Sequence, residues 1–110
     1  MSDSMTLSNQ QFLRRCVVEH LAGEDEFEDS LENINKWVWF HNRHEMEERK
    51  MSWTYQHSLA TTRKWLMDNK VISKDTINGV SWFKLTPKFQ PDVDDEEELY
   101  NEYMSDVYGC

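Results

Sequence analysis

Residues 54–87 read TYQHSLATTRKWLMDNKVISKDTINGVSWFKLTP, and two periodicities meet inside that stretch. Tyr55, Leu59, Thr62 and Leu66 recur at steps of four, three and four, which places them on one stripe of an α-helix facing a core. The other side is polar: it carries His57, Thr61, Lys64 and Asp68, with Gln56, Ala60 and Arg63 on its flank. A hydroxyl at Thr54 suits an N-cap, and Asn69 suits the left-handed conformation that stops a helix, so the pattern predicts a helix over about 55–68. Beyond it, Val71-Ile72 and Ile77 flank a polar run, and Val80 to Leu85 follow Asn78-Gly79. Asn-Gly between two such runs signals a hairpin, because a type I′ turn needs positive φ at both central residues. In the second strand Phe83 and Leu85 share one face, Trp82 and Lys84 the other.

Helix followed directly by hairpin, in the run from Ser58-Leu59 through Leu66 to Val71-Ile72, the Asn-Gly wing and Phe83-Lys84-Leu85-Thr86, resembles the recognition helix and wing of the winged helix-turn-helix family. The resemblance covers about a third of the chain. The sequence departs from the family pattern at Lys70, where glycine is usual, and at Arg63, where an apolar residue is frequent. What the resemblance implies is a mainly α fold with a small β-hairpin wing and a helix that enters the DNA major groove.

Working outward, residues 1–7 are expected to form a disordered leader, 8–90 the winged-helix-like domain and 91–110 an acidic tail. Ser8 and Gln11 match a capping box, with Leu7 and Phe12 at staple spacing. Phe12, Leu13, Cys16, Val17 and Leu21 supply an apolar face, and Gly23 closes that helix. The run Glu24 to Glu32 holds six acids and no base where the next helix must begin. It reads as a helix start favoured by the macrodipole, or as a partner-binding acidic patch. Leu31, Ile34, Trp37, Val38 and His41 mark a second helix that runs on to Lys50 or breaks near Asn42; unbroken, it is an extended second helix for this family. Met51-Ser52-Trp53 then forms the turn. In the tail, Leu99, Tyr103 and Val107 lie at i, i+4 and i+8, the spacing of a short amphipathic helix.

A chain of 110 residues with 38% hydrophobic composition supports one domain. It contains no long apolar run or basic leader, so no membrane partner is expected and the location is read as cytoplasmic or nucleoid-associated. Cys16 sits in a helical pattern and Cys110 is the last residue, which disfavours a structural disulfide. The net charge of −9 is unevenly spread. Eight acids and no base lie from Asp92 onward, so the tail carries −8; residues 33–91 hold ten bases against five acids, leaving +5.

Chemistry that would mark an enzyme is missing from the pattern. His41-x-x-His44-Glu45 has a zinc-compatible spacing, but a zincin helix needs histidine where Glu48 stands, so no metal site or cofactor is read from it. There is no glycine-rich phosphate loop, and neither cysteine has a recognisable histidine partner. The chain is therefore read as a non-enzyme: a small double-stranded-DNA-binding regulator of transcription or replication. Thr54, Gln56, His57, Thr61 and Lys64 would approach bases, and Arg63, Lys70, Lys74 and Lys84 would meet phosphates. The tail would modulate DNA binding or recruit a partner. Trp39 and Phe40 on the second helix, with Leu99, Tyr103 and Val107 in the tail, are the candidate surface for a homodimer or protein partner. The alternative is an acidic adaptor or inhibitor on the same scaffold, of the phage host-takeover type or a partial DNA mimic.

Overall fold

The computed structural model describes residues 7–90. Three helices pack with a small three-stranded antiparallel sheet. The order is α1 (Asn9–Ala22), β1 (Glu28–Ser30), α2 (Leu31–Glu48), α3 (Tyr55–Asp68), β2 (Ile72–Ile77) and β3 (Val80–Leu85), with short 3₁₀ turns at Asp25–Phe27 and Pro87–Phe89. The strand order is β1-β3-β2, so the hairpin strand β3 lies in the middle and the short β1 closes one edge. The tail positions Leu99, Tyr103 and Val107 fall outside the described residues.

Helix α1 starts as its sequence predicts. Ser8 Oγ accepts from the Gln11 backbone N–H at 3.1 Å, and Gln11 Oε1 accepts from the Ser8 N–H at 3.0 Å. Phe12, Leu13, Cys16, Val17, Val18 and Leu21 are buried along one side. Leu7, assigned above to a disordered leader, packs against that core, and its carbonyl accepts from Arg49 Nη1 at 2.9 Å. Helix α2 runs without a break through Asn42, with Ile34, Val38 and Met46 buried and Ser30 as its N-cap. The core closes with Met51, Leu59 and Leu66 and with Val71, Ile72, Phe83 and Leu85 from the sheet.

The acidic run is more than a helix start: within it Glu28, Asp29 and Ser30 pair with Lys84, Phe83 and Trp82 of β3. The chain reaches that strand through two left-handed residues, Glu26 at φ 57° and Phe27 at φ 58°. Each costs about 1–2 kcal/mol in a residue with a Cβ, and Phe27 packing against the core offsets part of it.

Helix ends depart from expectation in an instructive way. Thr54 occupies the position before α3 but lies at φ −115°, ψ −3° and makes no side-chain cap bond. Asn69 keeps φ −95°, and Lys70 instead is left-handed at φ 61°. The Val71 N–H donates to Leu66 O at 2.8 Å and the Lys70 N–H to Met67 O at 3.0 Å, the paired bonds of a Schellman ending. Helix α2 ends the same way, with Lys50 at φ 60° and Met51 N–H donating to Met46 O at 2.8 Å. Gly23 closes α1 in right-handed geometry, at φ −91°. The hairpin is as predicted: Asn78 at φ 52° and Gly79 at φ 80° join Ile77 to its partner Val80.

Candidate nucleic-acid interface

The outward side of α3 presents Gln56, His57, Ala60, Thr61, Lys64 and Asp68, all exposed, as the helical stripe predicts. The inward side buries Leu59, Thr62 and Leu66, with the Thr62 hydroxyl donating to Ser58 O at 2.8 Å. Thr54 is exposed immediately before the helix. Lys64 Nζ lies 3.0 Å from Asp68 Oδ2, an exposed i,i+4 pair. In water such a pair contributes only about 0.3–0.5 kcal/mol, so phosphate competes readily for the ammonium.

Arg63 is not a phosphate contact. Its residue is only 8% exposed; Nη1 donates to Asn35 Oδ1 at 2.7 Å, and the guanidinium lies 5.6 Å from the Phe83 ring centroid. Burial lowers its pKa from the ordinary arginine value, as expected for a cation withdrawn from water. The physical reason is the side chain's own duality: three methylenes fill space beside the sheet while the planar head reaches a half-buried amide on α2.

The three lysines do not share one surface. Cross-strand partners point to the same face of a sheet, and Lys74 is opposite the buried Phe83, so it stands on the α3 side of the hairpin. Lys84 is opposite Ser73 and Glu28, on the other face and beside a carboxylate-bearing residue. Lys70 is exposed at the end of α3 and, with Lys88, lines a shallow cleft of about 350 Å³. The structure thus puts Lys70 at the end of α3 and Lys74 on the sheet face shared with Phe83, while Arg63 is buried and Lys84 stands on the opposite face. Thr86 fixes that end: its hydroxyl donates to Lys70 O at 2.8 Å and its N–H to Val71 O at 3.0 Å, tying the hairpin base to the end of α3.

Charge follows the same division. Residues 19–48 hold ten acids and two bases, net −8, whereas residues 49–90 hold eight bases and two acids, net +6. The turn before α3 also carries Trp53, 98% exposed.

The aromatic residues on α2 separate into two groups. Trp39 is half-buried, packs against the core and stacks on Tyr55 at 4.7 Å between centroids. Phe40 is 68% exposed and meets Trp37 edge-on at 5.5 Å, while His41 stacks on Trp37 at 5.6 Å. No protein-family model, curated protein or solved structure matches the chain.

Proposed function

We propose that the chain is a winged helix-turn-helix DNA-binding protein, a regulator of transcription or replication. In this reading α2, the turn at 49–54 and α3 form the helix-turn-helix, and β2 with β3 forms the wing. The order of helix, short strand, two helices and hairpin, with β1 pairing onto β3, supports the assignment. The observation that carries it is an α3 face free of acid until Asp68, set in a segment of net +6 beside Lys70 and Lys74. Gln56, His57, Thr61 and Lys64 have donors and acceptors for base edges, and Lys70 and Lys74 neutralise phosphates. The eight acids from Asp92 onward compete with DNA for this surface.

Fluorescence anisotropy on duplex DNA tests the reading, with the full chain and with a chain ending at Pro91. Three to four lysine–phosphate contacts give a slope of log K against log salt of about −3, and removal of the acidic tail raises affinity. Absence of binding by both chains at about 50 mM salt, where non-specific contacts are strong, refutes it. A protein-binding adaptor is the second reading, favoured by Trp53 and Phe40 standing exposed while Lys64 pairs with Asp68.

A further inference from the structure

We infer that His20, Glu24 and Asp29 form a divalent-cation site, best matched to zinc, which clamps β1 against the last turn of α1. The three side chains come from the last turn of α1, from the extended residue just past its Gly23 cap and from strand β1, and their candidate ligand atoms all lie within 4.8 Å of one another. His20 Nε2 is 2.7 Å from Asp29 Oδ2 and 3.7 Å from Glu24 Oε1. Tetrahedral zinc, with bonds of about 2.0–2.2 Å to nitrogen and oxygen, holds its ligand atoms about 3.3 Å apart. The 2.7 and 3.7 Å separations straddle that value and the Glu24–Asp29 separation is at most 4.8 Å, so a metal replaces the His20–Asp29 hydrogen bond and draws the exposed Glu24 carboxylate inward.

The ligands are also held as metal ligands usually are. Asp29 Oδ1 accepts from the Ser30 backbone N–H at 2.8 Å and from Asn33 Nδ2 at 3.1 Å, which orients the carboxylate and leaves Oδ2 aimed at the imidazole. The His20 and Asp29 side chains are 8% and 9% exposed, while Glu24 is 41% exposed. His20 and Glu24 line an open cleft of about 430 Å³ between α1 and α2, which leaves room for water as the fourth ligand.

Electrostatics point the same way. From Glu19 to Asn35 there are seven acids and no lysine or arginine, and the C-terminal end of α1 adds partial negative charge. Arg15 pairs with Glu19 at 3.4 Å and Lys84 is the cross-strand neighbour of Glu28, and a dication would offset the charge that remains around Glu24 and Asp29. Cys16 lines the same cleft but is buried and lies outside the group formed by His20, Glu24 and Asp29, so the site is assigned without a thiolate. The site would pin β1, hence the edge of the sheet whose central strand is the hairpin strand β3.

Titration of the chelator-stripped full chain with zinc, followed by calorimetry and thermal melting, tests this. One saturable equivalent and a rise in Tm are expected. Glu24→Gln, a conservative change at an exposed carboxylate, should weaken binding by more than the roughly 10–100-fold lost with an outer-shell partner, while the metal-free Tm and circular dichroism match the parent. A His41→Asn/His44→Asn double variant and Cys110→Ser should bind as the parent does, and cobalt substitution should give d–d bands without a thiolate charge-transfer band. No saturable uptake overturns the inference. So does uptake that survives Glu24→Gln, or uptake that is lost with His41/His44 or Cys110.

Discussion

Arg63→Met separates a residue that holds the fold from one that holds DNA. Methionine keeps the aliphatic stem beside Phe83 and removes the guanidinium, hence the 2.7 Å bond to Asn35. A hydrogen bond from a charged donor contributes about 1.5–3 kcal/mol net, and a partly desolvated cation–π contact about 1 kcal/mol. Against these stands relief of the cost of burying the cation, a cost evident in the lowered pKa. Arg63→Met should therefore destabilise by about 1–2 kcal/mol. Arg63→Ala also removes buried methylenes worth about 0.8 kcal/mol each, which brings its loss to about 3 kcal/mol. With a urea m-value of about 1–1.5 kcal/mol/M for a domain of this size, the midpoints fall by about 1 M and 2 M. In anisotropy on duplex DNA, Arg63→Met should leave affinity within about twofold of the parent and the salt slope unchanged. An unaltered urea midpoint in Arg63→Met, together with a salt slope shallower by about one unit, would refute the inward placement.

Lys50→Gly and Lys70→Gly each relieve a left-handed residue at a helix end and should raise stability by about 0.5–1 kcal/mol in urea unfolding; loss of stability at either would contradict the Schellman endings. Lys74→Gln should reduce the salt slope for DNA by about one unit, and Lys84→Gln, on the opposite sheet face beside Glu28, should leave it alone. Cys16 has a folded-state pKa raised from 9.0 to about 12, mainly by burial. Its contribution to stability is therefore complete below about pH 9 and is lost as pH climbs toward 12. Native-state thiol titration at about pH 8 should accordingly find Cys16 unreactive until urea is added.

The local chemistry of this fold is legible in the chain, and its tertiary chemistry is not. Asn78-Gly79 announces the hairpin because few other pairs accept positive φ twice running, and Ser8 with Gln11 announces α1 because the cap is completed within four residues. Strand β1 carries no such mark. Glu28-Asp29-Ser30 has neither alternation nor β-branched residues, and its state is decided by β3, more than fifty residues later, and by His20. Lys50 and Lys70 are poor left-handed residues by propensity, but two backbone bonds at each helix end outweigh a cost of about 1–2 kcal/mol. Arg63 sits on the flank of its helical wheel, where periodicity alone does not say inward or outward; Asn35, twenty-eight residues away, decides it.

The division of labour between the two basic residue types bears on what kind of DNA contact this surface supports. Arg14 lies 3.7 Å over the Trp65 ring, Arg49 bonds Glu45, Leu7 and Asn9 while resting 4.6 Å over Phe12, and Arg63 is buried. Planar guanidinium stacks and bonds in several directions at once, so these arginines join α1, α2, α3 and the sheet. Exposed charge at the α3 end is left to Lys50, Lys64, Lys70 and Lys74. Lysine acts on phosphate as a hydrated point charge, whereas the bidentate arginine–guanine pair is the commonest specific base contact. On the DNA-binding reading, affinity then comes from position-independent phosphate neutralisation. Sequence preference falls to Gln56, Thr61 and His57, with Gln56 suited to the N6 and N7 edge of adenine. Lysine-driven affinity is the part most exposed to competition from an acidic segment on the same chain. A body whose described residues balance at twelve bases and twelve acids, joined to eight more acids, is poised for that competition.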